Sequence, residues 1–315
     1  MKKTFSFLAA FLMAALSAQA DLAPTVMLHH AGHATMFTYD KIQDAVNAAV
    51  NGDTIYLSEG TFSPFNVNKR IMVRGTGYST IIDGDCQITI SGTSPLTMPV
   101  LDAMCFNGNI NVTSGYKQFT LRKCRAKNIS FTNSDFYDVK FDRCYFSETL
   151  HLTTNVKEFT AFNTKIYMLH PHDYTEGIAR FEHCNIYYVC DTISRATFNC
   201  SWVYETKKMS GAKTQINLIG CVFNYCATLA NVQNNWSSEC EFNYCFTAGN
   251  SGGVNWNPSS DYICSDGTKC GAYGGQHPFT QWPEVPAVTK HVLKVDVPNK
   301  KLNVTLTIDK LVKYE

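Results

Sequence analysis

Val139-Lys-Phe-Asp-Arg-Cys144 is one of a set of similar segments that recur through the middle of this 315-residue chain. In most segments, apolar residues lie five and three positions before a closing residue, and usually another apolar residue lies two positions after it. The segments that close at Cys200 and Cys245 fit this form more loosely. The closing residue, called the anchor below, is a cysteine in all segments except one, which has a threonine. The predicted anchors are Cys124, Cys144, Thr164, Cys184, Cys200, Cys221 and Cys245.

The intervals between these anchors are 20, 20, 20, 16, 21 and 24 residues. Residues five and three positions before an anchor point to the same side of a strand, because side chains alternate with a period of two. The anchor and the residue two positions after it share that side only if the chain bends just before the anchor. Each repeat therefore predicts a strand, a two-residue corner such as Asp142-Arg143, and a second strand.

A repeat of this length cannot bury its own apolar side, so copies must stack until equivalent side chains form one continuous interior. The sequence therefore predicts an all-β fold with a parallel β-helix in residues 54–285. An antiparallel sandwich also has short strands and is the competing interpretation. It would need a hairpin turn about every 8–12 residues instead of a constant 20-residue register.

Both ends of a solenoid need a cover, because an open end exposes apolar surface and unpaired strand edges. In residues 21–53 we expect an N-terminal strand and a capping helix. Asp40 and Gln43 have capping-box spacing for the start of this helix, and Asn51-Gly52 is expected to end it. Its predicted apolar face consists of Ile42, Ala45, Val46, Ala49 and Val50.

At the other end, apolar residues alternate with polar ones in residues 286–315, on both sides of Pro298-Asn-Lys-Lys301. This pattern predicts a C-terminal β-hairpin, packed on the same domain. One cooperative domain is therefore expected after residue 20.

The first 20 residues have the pattern of a signal peptide: Lys2 and Lys3, an apolar stretch from Phe5 to Leu16, and small residues at the end. No later segment is apolar for the roughly 18 residues that a membrane-spanning helix needs. We therefore expect an exported protein without a transmembrane segment, located outside the cell, on its surface or in a periplasm.

The balance of charges also limits the partners. Lys and Arg total 27 and Asp and Glu total 26, so the formal net charge is +1. Such a balance provides no field to hold nucleic acid or an anionic membrane. It fits a neutral partner better than a strongly anionic one.

The chain has 13 cysteines. Stacked anchors hold parallel Cα–Cβ bonds about 4.8 Å apart, whereas a disulfide needs converging Cβ atoms about 3.8 Å apart. Most anchors are therefore predicted to be buried thiols that act as small apolar groups. Cys264 and Cys270 enclose a turn-rich stretch and are the predicted disulfide. No CxxC pair occurs, so we expect no zinc bound by cysteines.

Residues Ile42–Phe62, in which a short helix leads into the strand sequence Gly-Asp-Thr-Ile-Tyr-Leu, resemble the entry segment of pectin-lyase-like right-handed β-helix proteins. Asp266–Gly275, with Pro278-Phe279 and Pro283, is similar to the closing segment of secreted bacterial members of that superfamily. The resemblance implies a right-handed parallel β-helix. It implies no single activity, since the superfamily includes polysaccharide lyases, glycoside hydrolases and adhesins. The arginine-rich lyase motif and the paired-aspartate hydrolase motif are both missing, so no catalytic residue is carried over.

Asp138 and Glu158 both lie six positions before an anchor, so they are predicted to face outward on adjacent coils. Two carboxyls about 5 Å apart suit a retaining glycosidase, or Ca²⁺ held for a polysaccharide lyase. Lys140 or Arg180 would then be the lyase base. The competing interpretation is a solvated sheet face with charges of alternating sign. We expect no cofactor other than Ca²⁺ in the lyase case.

His170-Pro-His172-Asp173 lies in the longest outward excursion of the regular coils. Closely spaced His and Asp residues can bind a transition metal, but a polar loop tip without a metal is the ordinary interpretation. The same two interpretations apply to His29, His30 and His33, which precede the predicted helix.

Several aromatic residues fall outside the predicted stack. Rings exposed along a β-helix can stack on sugars, while asparagines supply hydrogen bonds to the hydroxyls. The candidates for such a glycan-binding strip are Tyr187, Tyr204, Trp236, Trp256 and Trp282.

These patterns favour a secreted or surface-associated β-helix that recognises an extracellular polysaccharide or cell-surface glycan without catalysis. A polysaccharide lyase or glycoside hydrolase is the first alternative. A structural or adhesive rod is the second.

Overall fold

The structure is a computed structural model that describes residues 24–89, 100–113, 118–132, 136–172, 174, 177–207, 218–224, 226–229, 240–243, 246–248, 271–272, 287–296 and 301–309. The predicted features that lie outside these residues are the signal peptide, Asp173, Trp236, Cys245, Trp256, Cys264, Cys270 and Trp282.

Within the residues that the structure describes, two twelve-stranded sheets form the body of the molecule, and the chain alternates between them as it winds. The strands of the first sheet are Thr25–His30, His33–Thr38, Thr54–Leu57, Met72–Arg74, Val100–Asp102, Gln118–Arg122, Asp138–Asp142, Glu158–Phe162, Ile178–Glu182, Thr197–Asn199, Val222–Asn224 and Glu241–Asn243. The strands of the second sheet are Gly60–Phe62, Asn66–Val67, Thr80–Ile82, Cys86–Ile88, Cys105–Val112, Arg125–Phe131, Tyr145–His151, Lys165–His170, Asn185–Cys190, Trp202–Lys207, Ala227–Leu229 and Phe246–Ala248.

Strands of successive coils pair in parallel in both sheets, so the predicted all-β parallel β-helix is confirmed and the antiparallel sandwich is wrong. The two N-terminal strands are the exception. Thr25–His30 pairs antiparallel with both His33–Thr38 and Thr54–Leu57, and so extends the first sheet at its N-terminal end.

The stacking register is the one that the repeat predicts. Phe119, Val139, Phe159 and Ala179 are register partners on four successive coils, each 20 residues from the next, and all four are buried. Further along the chain the interior contains a column of parallel phenylalanine rings. Adjacent ring centroids are 4.9, 4.6 and 4.6 Å apart, close to the spacing of paired strands. The rings of this column belong to Phe181, Phe198, Phe223 and Phe242.

The corner of each coil lies one residue later than predicted. Asp142 still belongs to the first strand, and the residues between the two strands are Arg143 and Cys144. Arg143 has a φ of 55°, a left-handed backbone that costs a residue other than glycine about 1–2 kcal/mol. Its N–H donates to Phe162 O of the next coil at 2.9 Å. The residues that take this same position and conformation in other coils are Ala103, Lys123, Asn163 and His183.

The anchors form a buried column whose side chains donate hydrogen bonds to backbone carbonyls of two coils. Cys144 Sγ lies 3.5 Å from Asp142 O in its own coil and 3.3 Å from Leu121 O in the preceding one. The Thr164 hydroxyl donates in the same way, to Phe162 O at 2.9 Å. Burial raises the pKa of Cys184 to about 12, so the thiol keeps the proton that it donates.

The spacing predicted Cys200 as the anchor of its coil, and this prediction is wrong. Cys200 is half-buried, with a φ of 42°, and takes the corner position instead. The anchor is the next residue, Ser201, which is fully buried and whose hydroxyl donates to Asn199 O at 2.8 Å and Phe181 O at 3.3 Å.

Cys221 is also wrongly placed by the spacing, because it lies in a second column. That column begins beside a short third sheet in which Ile193–Ser194 pairs with Leu218–Ile219. Cys221 Sγ donates to carbonyls of both strands, each at 3.6 Å. In the first column its place is taken by Cys226, whose Sγ lies 3.1 Å from Phe198 O.

The capping helix forms where predicted, over Ile42–Ala48, after a 3-10 turn at Tyr39–Lys41. It is too short to cross a membrane, as are the other helical residues that the structure describes. Val50, predicted on the apolar face, is 49% exposed, because the backbone becomes extended at Ala49. The predicted apolar residues that are buried are Ile42, Ala45, Val46 and Ala49.

The predicted capping box does not form. Asp40 lies inside the 3-10 turn, where its carboxylate accepts a hydrogen bond from the Thr38 hydroxyl at 2.6 Å. Gln43 bonds instead to the backbone of Asn66 in the first coil, with its Oε1 accepting the N–H at 2.8 Å. The helix is therefore fixed to the solenoid rather than capped from within.

The helix ends before the predicted stop at Asn51-Gly52. A lysine from the first coil binds the carbonyls at its C-terminal end. Lys69 Nζ donates to the carbonyls of Val46, Asn47 and Ala49 at 3.2, 2.5 and 2.7 Å. These carbonyls lack partners within the helix, and a cation there also complements the helix dipole.

The C-terminal hairpin is confirmed by the antiparallel pair Ala287–Asp296 and Lys301–Asp309. Leu293 lies opposite Val304, and Val295 lies opposite Leu302, so the apolar positions of the two strands are in register. Lys301, predicted in the turn, begins the second strand.

We predict that denatured, unreduced protein contains at least eight reactive thiols. These are six cysteines without a disulfide bond, Cys86, Cys105, Cys124, Cys144, Cys184 and Cys221, and two whose Sγ donates a hydrogen bond, Cys226 and Cys240. Titration with a thiol reagent in denaturant counts them. A count below eight would contradict this prediction, and a count of two or fewer would contradict the buried thiol column altogether.

Replacing Lys69 with Met should lower the free energy of unfolding by about 1–3 kcal/mol, because helix carbonyls lose a charged donor. Denaturant unfolding measures the change. The matched control is Lys41→Met, since Lys41 only forms an exposed ion pair with Asp44 at 3.7 Å, and it should change stability by less than about 0.5 kcal/mol. Equal effects of the two substitutions would contradict the role of Lys69.

Candidate functional site

An outward row of tyrosines runs across the second sheet. The buried register partners Ile166, Ile186 and Val203 fix this part of three successive coils. Side chains alternate along a strand, so the residue after each partner faces outward. These residues are Tyr167, Tyr187 and Tyr204, and their neighbouring ring centroids are 6.1 Å apart.

Two further rings pack against this row. Tyr188 contacts Tyr167 edge to face, with centroids 5.4 Å apart, and Trp202 contacts Tyr204 in the same way at 5.8 Å. Trp202 is buried, whereas Tyr167 is 42% exposed. Edge-to-face pairs are favourable beyond their buried area, so the cluster is a fixed surface.

Lys165 and Tyr145 extend the cluster toward earlier coils. Lys165 Nζ lies 5.0 Å from the Tyr145 ring centroid and 5.4 Å from that of Tyr187. Arg125 is the register partner of Tyr145 on the preceding coil, and its Cζ lies 5.3 Å from the Tyr145 ring centroid. Burial, and then the charge of Arg125, lower the pKa of Lys165. We call the six rings Tyr145, Tyr167, Tyr187, Tyr188, Trp202 and Tyr204 the aromatic face.

The sequence predicted two members of the aromatic face, Tyr187 and Tyr204. It missed the other four, which share a simple signal: each lies one to four residues after an anchor position in the corrected register. Writing the coils beneath one another at the anchors would have brought these rings together. The three predicted tryptophans, Trp236, Trp256 and Trp282, lie outside the described residues.

The predicted acidic pair lies on the first sheet, facing outward on adjacent coils as expected. Asp138 is engaged within the fold: its Oδ2 accepts hydrogen bonds from Lys140 Nζ at 2.8 Å and Gln118 Nε2 at 3.2 Å. Glu158 is exposed. Burial raises the pKa of Tyr174, and the negative charge of Glu158 raises it further.

The two candidate lyase bases are not adjacent. Lys140 and Arg180 are register partners of Thr160 on its two sides, so one coil separates them. The contact between Lys140 and Asp138 favours the interpretation of this face as a solvated surface with charges of alternating sign.

A row of alternating charges on the first sheet supports the same interpretation. Arg74, Asp102, Arg122 and Asp142 are register partners on four successive coils. The Asp102 side chain is buried and accepts from Arg74 Nε at 2.8 Å and from Arg122 Nε and Nη2 at 3.1 and 2.9 Å. Hydrogen bonds to Asp102 raise the pKa of Arg122. This row was not predicted from the sequence.

Three histidines meet at the end of the second sheet. His151 and His170 end two paired strands and are register partners, and His172 follows with a φ of 44°. The ring centroids of His170 and His172 are 4.0 Å apart, and that of His151 lies 5.3 and 5.6 Å from them. Burial, followed by the charges of the other two rings, lowers the pKa of His151.

The structure brings the predicted His170 and His172 together. His170 is the last residue of a strand rather than part of a loop tip, and its side chain is only 12% exposed. The sequence missed His151, which precedes His170 by 19 residues, and Asp191, whose Oδ2 lies 3.6 Å from His170 Nε2.

The N-terminal histidines have a different arrangement. His30 Nδ1 lies 2.7 Å from Oδ1 of the buried Asp53, which fixes the first strand to the start of the first coil. His29 and His33 are exposed. Among the described residues, only His151, His170 and His172 bring three potential metal ligands together.

No protein-family model, curated protein or solved structure matches this chain. The parallel solenoid is consistent with the resemblance to pectin-lyase-like proteins. Membership of that superfamily stays a prediction.

Replacing Asp102 with Asn should lower the free energy of unfolding by about 2 kcal/mol. Removing one partner of a buried ion pair costs about 3–5 kcal/mol, and the partial exposure of the two arginines, 40% and 35%, reduces this cost. Denaturant unfolding measures it. The control Asp138→Asn, which removes one surface ion pair, should cost less than about 1 kcal/mol; an Asp102 effect no larger than that would contradict the structural role of the row.

Proposed function

We propose that this protein is an exported β-helix that binds an extracellular glycan through the aromatic face, without catalysis. The observation that carries the proposal is the outward row Tyr167, Tyr187 and Tyr204 on neighbouring coils of one sheet, with the other rings of the aromatic face beside it. The signal-peptide pattern in residues 1–20 supports export.

The aromatic face has the chemistry that sugar binding needs. Pyranose rings present apolar C–H faces that pack on aromatic rings, and tyrosine hydroxyls and asparagines bond to their hydroxyl groups. The row Tyr167, Tyr187 and Tyr204 follows the stacking direction of the coils. A linear polymer can therefore contact several rings at once along the solenoid.

A fixed surface also lowers the cost of binding. Edge-to-face contacts hold Tyr167 and Tyr204, and Lys165 lies between Tyr145 and Tyr187. These rings lose little freedom when a ligand arrives, so more of the contact free energy appears as affinity. The net charge of +1 supports a neutral glycan rather than a strongly anionic one.

The absence of catalysis is supported by the surroundings of the acidic pair. Asp138 is bound to Lys140 and Gln118, and both bonds are accepted by Oδ2, which favours a charged sheet face over the acidic pair of a glycosidase. The first alternative, a polysaccharide lyase or glycoside hydrolase, requires that pair to be available. The second, a structural or adhesive rod, requires only the solenoid.

The test is calorimetric titration of the purified protein with cello-, xylo- and manno-oligosaccharides, with oligogalacturonate as the anionic comparison. Tyr187→Ala and Tyr204→Ala should each weaken binding of the neutral ligand about tenfold or more, since a loss of about 1.4 kcal/mol is tenfold in affinity. Tyr39→Ala is the control, because Tyr39 is 49% exposed but lies outside the aromatic face. Binding that is unchanged in the two variants, or absent from the whole panel, would contradict the proposal.

The same samples separate the alternatives. Release of reducing ends or of unsaturated products would show catalysis, and its loss in Asp138→Asn and Glu158→Gln would place it at the acidic pair. A protein that neither binds nor cleaves any of these ligands would favour the rod.

A further inference from the structure

The three histidines at the end of the second sheet have their side-chain nitrogens close together. One ring nitrogen from each of His151, His170 and His172 lies within 4.8 Å of the others. From this convergence we propose that the three imidazoles form a transition-metal site that binds Zn²⁺. The site is separate from the glycan contacts proposed for the aromatic face.

The fold holds two of the three ligands in place. His151 and His170 are register partners on adjacent coils, and Leu152 N–H donates to His170 O at 2.9 Å. Their separation is therefore set by the pairing of the two coils. His172, by contrast, is exposed and can move without disturbing the interior. A Zn–N distance of 2.0–2.1 Å places tetrahedral ligand nitrogens about 3.3 Å apart. The three ring nitrogens lie within 4.8 Å of one another, so rotations of the imidazole rings must supply the remaining closure.

Asp191 is a positioning residue for this site. Its Oδ2 lies 3.6 Å from His170 Nε2, and its Oδ1 accepts the N–H of Thr192 at 2.9 Å. Histidine ligands of metals usually present their second nitrogen to a carboxylate, which fixes the tautomer and the orientation of the ring. Asp191 is therefore placed to fix the orientation of the His170 ring.

The ligand set selects the class of metal. Imidazole nitrogens suit Zn²⁺, Cu²⁺ and Ni²⁺, whereas Ca²⁺ and Mg²⁺ require oxygen ligands. Three histidines leave the fourth tetrahedral position to water, the arrangement of open zinc sites. This site is thus distinct in position and chemistry from the Ca²⁺ considered for Asp138 and Glu158 on the first sheet.

The test is titration of chelator-treated, full-length protein with Zn²⁺, followed by calorimetry, and with Co²⁺, followed by its visible spectrum. We expect one Zn²⁺ per chain, a tetrahedral Co²⁺ spectrum, and no binding of Ca²⁺. His170→Ala and His172→Asn should each weaken Zn²⁺ binding more than about 100-fold, and Asp191→Asn about 10- to 100-fold. In His172→Asn, asparagine preserves the left-handed backbone.

The control is the double substitution His29→Ala, His33→Ala, which removes two exposed histidines from the N-terminal strands and should leave Zn²⁺ affinity unchanged. Circular dichroism and denaturant unfolding establish whether each variant is folded. If His170→Ala does not fold, the Zn²⁺ affinity of His172→Asn alone tests the proposal. Zn²⁺ binding that is absent from the unaltered protein, or equally strong in His172→Asn, would overturn the proposal.

Discussion

Parallel pairing between coils is the constraint on which the rest of this structure depends. Each strand donates to and accepts from the coils on either side, so a residue must lie above the residue one repeat earlier. The backbone alone would tolerate many sequences. What fixes the register is that a shift of one residue would turn every buried Phe, Val and Cys of a coil toward solvent. The left-handed corners, despite their cost, persist because they place each anchor inside.

The same constraint makes the outer surface periodic. On the first sheet it produces a row in which Arg and Asp alternate, so Asp102 and Arg122 each have an opposite charge on the coils on both sides. On the second sheet it places aromatic rings and then histidines next to one another. The two faces thus differ in character: one neutralises its own charges, while the other presents rings and imidazoles to solvent. The proposed functions belong to the second face.

Much of this was readable from the sequence, because a 20-residue period directly reports which side chains stack. The predictions failed where one coil departs from the period. Cys221 has the correct apolar spacing, yet a short third sheet inserts a second column, and only the pairing of Phe198 with Phe223 shows that Cys226 belongs to the first. Asp40 and Gln43 matched a local capping motif but form other contacts. His151 was missed because a motif search reads neighbours along the chain, not across it.

Thiols and hydroxyls are interchangeable in the anchor column. Cys144, Thr164 and Ser201 lie in one column and donate to the same kind of carbonyl, and the hydroxyls of Thr164 and Ser201 also accept an N–H from the preceding anchor. The position requires a small side chain that donates one hydrogen bond, from either a thiol or a hydroxyl. The architecture is therefore compatible with a version of the rod whose interior holds hydroxyls in place of thiols, and whose folding would be indifferent to oxidants.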